Sequence, residues 1–429
     1  MKRMINSIKR ILFRDKLLLK QRAQTNNKVC MVVWNTFETD ARVTKEAKSL
    51  VKHGKDVTVI AVHNPHKTKK REVVEGINVV RVCRTIRIQK DASPSPAAKS
   101  KAKEAQVKVN SNPSLKTRVK KKFVFVPKLI INTRFFLNAF KQNAGVYHSH
   151  DLNTFFIVYL VARLRGAALV YDAHEVSTDR AGWSNKQLWE RLESFLIKRA
   201  DKVITTNQTR ADFFANKYRI ETPILIRNVP PYQEIGNTNR IREQCGINKG
   251  VPVILYQGGI QRERGIENMV RCIPLVKKGT FVFIGNGALK PKIKSLVEEY
   301  NVHERVRFID AVPNKELLSY TASADIGLQL LQNTCFNHYS ACSNKLHEYL
   351  MAGIPVISSD LPEMRQVIST TNAGILVDPE DLQGVAEAIN ELVDNVELYN
   401  ELKRNSKKAS KLHQWDNEEV KLINLYQFN

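Results

Sequence analysis

No stretch of the 429-residue chain approaches the ~18 consecutive apolar residues that a membrane-spanning helix needs. The longest apolar runs near the N-terminus are Ile11-Leu12-Phe13 and Leu17-Leu18-Leu19, too short for the core of a secretory signal, so export is not expected. Glycine (18) and proline (15) are too scarce for collagen-like or mucin-like chains. None of the six cysteines (30, 83, 245, 272, 335, 342) stands in a C-x-x-C pair. A chain of this size needs no covalent staples, so they read as reduced, buried cysteines of a cytoplasmic protein. There is no G-x-G-x-x-G, and so no signal for a dinucleotide cofactor. No DNA- or RNA-binding motif is recognisable, and no basic run is interleaved with aromatics.

Acidic charge is also in short supply. Asp and Glu number 42 against 68 Lys and Arg, for a net charge of +26. Residues 1–28 hold nine basic residues against Asp15, and residues 86–128 hold twelve against Asp91 and Glu104. Two basic segments on a nearly balanced body suggest adhesion to something anionic. In the first, Met4, Ile5, Ile8, Ile11, Leu12, Leu18 and Leu19 recur at helical spacing among Lys and Arg. That pattern fits an amphipathic helix lying on an anionic membrane. A solvated basic tail and nucleic acid are the other readings, and the lack of a motif weighs against the latter. The second segment begins Asp91-Ala-Ser-Pro-Ser-Pro, whose composition reads as a loop.

What remains is ordinary globular composition, 43% hydrophobic and 26% charged, at a length that suits two to three domains. From about residue 28, short β-branched runs alternate with helical patterns. The expected division is a basic N-terminal segment (1–27), a first α/β domain (28–230, with a basic loop at about 86–126), a linker (231–242), a second α/β domain (243–410) and a C-terminal helix (411–429). Strand–helix alternation implies doubly wound parallel sheets covered on both faces. Ligands of such folds bind at the carboxyl ends of the strands, so a cleft between the domains is the expected site.

Three stretches of the second domain carry chemistry. In Tyr256-Gln-Gly258-Gly259-Ile-Gln-Arg262-Glu-Arg264-Gly265, paired glycines let backbone approach a ligand, and Arg264 stands at a helix start. Arg beside free N–H groups suits a diphosphate; a plain tight turn is the competing reading. Gly285-Asn-Gly287 is a second Gly-rich junction at the same edge. In Ser343-Asn-Lys345-Leu-His-Glu348, Ser343 is an N-cap, Lys345 adds charge at the helix N-terminus, and Glu348 follows at i+3. A carboxylate there can bind a sugar diol, or simply pair with the lysine. The helix ends at Gly353 and Pro355. In the first domain His148-Ser-His150-Asp151 and Tyr171-Asp172-Ala-His174-Glu175 each follow a strand. Sugar or acceptor binding, structure, or a metal could use them, but a full metal-ligand set is not visible.

Together these residues resemble a GT-B glycosyltransferase, similar to the large retaining family four. The resemblance covers about 28–410. It also draws on Asp40-Ala-Arg42-Val-Thr-Lys-Glu46, Arg199-Ala-Asp-Lys-Val-Ile and Ile226-Arg-Asn228-Val-Pro230. It implies α/β architecture with two tandem doubly wound, Rossmann-like domains facing a cleft. The implied reaction is retaining transfer from a nucleoside-diphosphate sugar to a glycan or lipid-linked acceptor, without a metal or other cofactor and without nucleic acid. By the same resemblance His174 would sit near the reacting sugar, Arg264 and Lys345 would neutralise the diphosphate, and Gly258 and Gly259 would line it. Arg262, Gly285, Gly287, Ser343 and Glu348 complete the donor side. Asp40, Arg42, His148, Asp151 and Glu175 fall on the acceptor side. Placement would be cytoplasmic and peripheral, on the inner membrane face. The chain departs from the family pattern twice. Ser340 stands where the first of two glutamates eight apart is frequent, and Gly258-Gly259-Ile260 replaces Gly-Arg-Leu. A nucleotide-sugar 2-epimerase, or a non-catalytic binding protein on a decayed transferase fold, are the alternative readings.

Overall fold

The computed structural model describes residues 16–84, 115–179 and 185–428. They form two compact units, residues 1–169 and 170–429. Their strands are β1 (Lys28–Val32), β2 (Asp56–Val62), β3 (Arg71–Val74), β4 (Ile77–Val82), β5 (Val146–His150), β6 (Ala168–Ala173), β7 (Lys202–Thr205), β8 (Ile224–Leu225), β9 (Val253–Gln257), β10 (Thr280–Ile284), β11 (Val306–Ile309), β12 (Ile326–Gln329), β13 (Val356–Ser359) and β14 (Gly374–Val377).

In the first unit the strand order is β3-β4-β2-β1-β5, parallel except for β3, which runs antiparallel to β4. Strand β3 escapes the sequence pattern because it lies at the edge, largely exposed, and lacks an apolar face. Its hairpin turns on Glu75 and Gly76, both at positive φ (51° and 80°), the conformation a two-residue hairpin loop requires.

The amphipathic-helix expectation for residues 1–27 falls partly outside the described residues. The part that is described, a helix over Lys16–Thr25, ends docked on the first unit rather than free. Arg22 donates to the Asn143 side chain (2.6 Å), Asn26 donates to the Asn143 carbonyl (2.9 Å), and Ala23 is buried. The basic loop expected at 86–126 is corrected as well. Residues 85–114 lie outside the described set, but a helix runs from Leu115 through Gln142, so it starts inside the stretch expected as loop. Lysine is a good helix former, and Pro127 is carried inside the helix without ending it.

In the second unit β6, β7 and β8 are parallel neighbours, and a separate six-stranded parallel sheet has the order β11-β10-β9-β12-β13-β14. Its residues alternate cleanly. Ile254, Tyr256, Phe281 and Phe283 enter one hydrophobic core, and Val253, Leu255, Val282 and Ile284 enter another on the opposite face. Both faces are therefore covered by helices, as parallel sheets require. Strand order reverses at β9, with β10 on one side and β12 on the other, and such a switch point opens a crevice at the carboxyl ends. A helix over Arg240–Cys245 begins inside the stretch expected as linker, and the C-terminal region carries helices Val396–Leu412 and Trp415–Leu425. No helix among the described residues is long and apolar enough to cross a membrane.

Candidate active site

The chain leaves β9 at Gln257 and turns at Gly258, whose φ of 123° is open mainly to glycine. The turn is braced against the one that follows β10. The Gly258 amide donates to the Ile284 carbonyl (2.8 Å) and the Ile260 amide to the Asn286 carbonyl (3.1 Å). A Cβ on Gly285 would lie 2.0 Å from the Gly258 oxygen, and one on Gly287 would lie 2.1 Å from the Ile260 oxygen. Gly285 and Gly287 thus serve the site by letting two backbones touch.

Lys345 comes to this turn from the helix Asn344–Ala352, which begins after Ser343 and ends at left-handed Gly353. The Ser343 hydroxyl makes no capping bond, so the N-cap expected from the sequence is present in backbone only. Lys345 Cε lies 2.6 Å, and Nζ 3.3 Å, from where a Cβ on Gly258 would stand, and Nζ sits 5.3 Å from the Tyr256 ring centre. Burial and the nearby Arg264 guanidinium pull the Lys345 ammonium down to about 8, with Glu348 opposing. Two half-buried cations close enough to perturb one another form a pre-built anion site. Glu348, one turn along, accepts a 2.6 Å hydrogen bond from the Gln257 amide, and Gln257 in turn accepts from Thr321 (2.7 Å). The carboxylate is thereby tied to Gln257, the residue before the Gly258 turn. Arg262 is exposed on the same loop, and Glu263 beside it adopts a φ of 66°. His338 joins this group, 3.8 Å from Glu263. Burial and Arg264 push its imidazolium toward lower pH.

His174 follows β6 in the same unit. Its Nε2 lies 2.9 Å from Asp172 Oδ2; Asp172 is 0% exposed, and the imidazole 19%. A buried carboxylate behind a partly exposed imidazole fixes its orientation. Sequence reasoning singled out His174 and left Asp172 without this role. Glu175 accepts a 2.6 Å hydrogen bond from Asn337.

The remaining residues belong to the first unit. Asp40 caps the helix Ala41–Lys52 by accepting from the Val43 amide (3.1 Å), and it holds Asn35. Arg42 pairs with Glu46 at 3.0 Å, both buried. His148 is buried, with His150 stacked on it at 4.2 Å, and one ligand atom from each of Glu46, His148 and His150 lies within 4.8 Å of the other two. Asp151 has a φ of 61° and ψ of 166°, a strained conformation at the end of β5. In the second unit Ser340 is 0% exposed and accepts from Arg210 Nε at 3.2 Å, so no surface is left on it for a ligand.

Comparison with known proteins agrees with this architecture. The family described as Glycosyl transferase 4-like domain matches residues 39–226, and Glycosyl transferases group 1 matches residues 237–409. Glycogen synthase of Mycobacterium tuberculosis is 20% identical over 58% of this chain and 60% of its own length, so the match spans less than two thirds of that relative. Among solved structures, sucrose-phosphate synthase from Thermosynechococcus elongatus aligns with a TM-score of 0.72 at 17% identity, covering 93% of this chain and 98% of that one. Anabaena HepE in complex with UDP-glucose aligns with a TM-score of 0.69 at 12% identity, over 93% and 98%. At such identities the likeness is one of fold, and together with the two family matches it means that the chain belongs to the GT-B glycosyltransferases of group 1.

Proposed function

We propose that the protein transfers a sugar from a nucleoside-diphosphate sugar to a hydroxyl acceptor, with retention at the anomeric carbon and without a metal. One observation carries the reading: Lys345, Arg264 and Glu348 converge on a glycine turn at the carboxyl end of β9. The two cations answer the diphosphate, the glycine turn admits it, and the Glu348 carboxylate can accept two hydroxyls of a sugar ring. The solved HepE complex, which holds UDP-glucose, supports a nucleotide-sugar donor.

In the reaction the bond from the anomeric carbon to the β-phosphate oxygen breaks. The acceptor oxygen bonds to that carbon on the same face, and its proton passes to the departing phosphate oxygen. No side-chain nucleophile is needed. Lys345 and Arg264 stabilise the charge that grows on the leaving group, and His174, held by Asp172, stands near the reacting sugar. The acceptor is a lipid-linked or cell-envelope glycan, and the basic N-terminal segment brings the enzyme to an anionic membrane. The buried Ser340 favours one other reading, a binding protein that has lost transfer.

A panel of nucleoside-diphosphate sugars, with mass spectrometry of the released nucleotide, tests the proposal. Turnover of one donor that Glu348→Ala sharply lowers is the expected result. Nucleotide release from none of them, with or without glycan acceptors, would leave the non-catalytic reading. Conversion of a donor alone to its 2-epimer would point to an epimerase instead.

A further inference from the structure

We propose that Arg210 is a positioning residue for this reaction, holding His174 and the segment that leads to Lys345 in one frame. The inference rests on the functional reading above and adds a residue that the sequence motifs do not mark.

Arg210 lies near the start of the helix Gln208–Tyr218, capped by Asn207. Its guanidinium has five N–H donors in a fixed plane, and the structure supplies five acceptors. Nε donates to the Ser340 hydroxyl (3.2 Å). One terminal nitrogen donates to the Thr206 hydroxyl (2.9 Å) and to the His174 carbonyl. The other donates to the carbonyl (3.3 Å) and side-chain oxygen (3.2 Å) of Asn337. With acceptors from four residues on three segments, the guanidinium serves here as a geometric hub.

Asn337 extends the frame. Its side-chain oxygen also accepts from the Val176 amide (3.2 Å), and its amide nitrogen donates to Glu175 (2.6 Å). Three consecutive residues after β6, His174, Glu175 and Val176, are therefore tied to one arginine and one asparagine. Asn207 donates to the Ser340 carbonyl (2.7 Å), which fixes the far end of the segment Phe336–Ser340. Five residues beyond Ser340 stands Lys345. At Ser340 a small hydroxyl side chain lets Arg210 reach in, and this gives the departure from the family pattern a use: the position serves the frame and not the ligand.

A misplacement of ~1 Å in a reacting group can cost ~100-fold in rate. Loss of the hub should therefore fall on turnover more than on donor binding, since Arg210 bonds the His174 carbonyl directly, whereas Lys345 stands five residues beyond the framed segment and Glu348 is held by Gln257. The test uses the full chain with UDP-glucose, or whichever donor of the panel turns over. In Arg210→Ala, and more mildly in Asn337→Ala, kcat should fall ~10- to 100-fold while the donor KM stays within ~3-fold. Guanidinium at tens of millimolar should restore part of the Arg210→Ala loss, and urea at equal concentration should not. Unchanged kcat, or a KM that rises as far as kcat falls, overturns the proposal.

A second measurement needs no substrate. The His174 imidazole signals in ¹³C-histidine spectra, assigned through His174→Gln, should shift or broaden in Arg210→Ala and in Asn337→Ala, both first verified as folded by circular dichroism. Signals identical to wild type in either variant overturn the frame, even where no donor turns over and the functional reading itself has failed.

Discussion

Lys345 offers the sharpest test of the donor site, because its charge is in play near physiological pH. Its ammonium is lowered to about 8, chiefly by burial and then by Arg264. A diphosphate placed between the two cations needs Lys345 charged. About nine tenths of the free protein carries that charge at pH 7 and about one tenth at pH 9. Affinity for a nucleoside diphosphate should then fall roughly tenfold over those two units, and binding at pH 8–9 should draw a proton from solution. Titration calorimetry with UDP in two buffers of different ionisation enthalpy measures both quantities. UDP has its own titrating groups, so the comparison is with Lys345→Arg, whose cation persists across the range. The wild-type slope should exceed the variant's by about tenfold in affinity between pH 7 and 9. Equal slopes in the two proteins, or no proton uptake by wild type, would refute the placement of Lys345 against the phosphates.

Three further outcomes follow from the same geometry. Glu348→Ala should fold normally and lose ~30- to 1,000-fold in turnover, as read by nucleotide release; near wild-type rates would remove Glu348 from the donor site. Gly285→Ala should force the β9 and β10 turns apart, lowering UDP affinity and thermal stability together. A cost of ~1–3 kcal/mol is expected for such overpacking, and an unchanged melting temperature would contradict the backbone contact. Deleting residues 1–15, which spares the docked Arg22 and Asn26, should release the protein from anionic vesicles while turnover on a soluble acceptor persists; vesicle binding that survives the deletion would move the attachment elsewhere.

Much of the scaffold was legible in the sequence because its signals are local. Strands β2, β7 and β11 are β-branched or apolar runs bounded by polar residues, the pattern that marks a buried strand. The helix Asn344–Ala352 was readable from Ser343 and Gly353 at its ends. Strand β3 was not, since an exposed edge strand has no apolar alternation to betray it. Nor was the start of the long helix at Leu115, where charge density suggested a loop. In the site, Lys345, Glu348 and His174 announced themselves by motif. Gln257, Arg210 and Asn337 did not, because their roles depend on partners up to 162 residues away in the chain. Asp172 lay within the His174 motif, but nothing in the sequence marked it as that residue's partner. Ser340 read as a missing sugar contact, and only its burial showed what it touches instead.

The back-to-back turns after β9 and β10 also bear on how this enzyme could be altered. Gly258 and Ile260 present their carbonyl oxygens to the two positions, Gly285 and Gly287, where no side chain fits. Neither loop can accept a larger residue at the contact unless the other retreats, so the pair should resist stepwise drift and tolerate only coordinated change. Libraries aimed at a new donor would waste members on the glycines. Exposed Asn286 and half-buried Lys290 flank the same junction, and Lys290 reaches Asn286, Asp310 and the Phe308 ring. Variation there leaves the backbone contact intact, and makes those two positions the economical place to begin a search for altered selectivity.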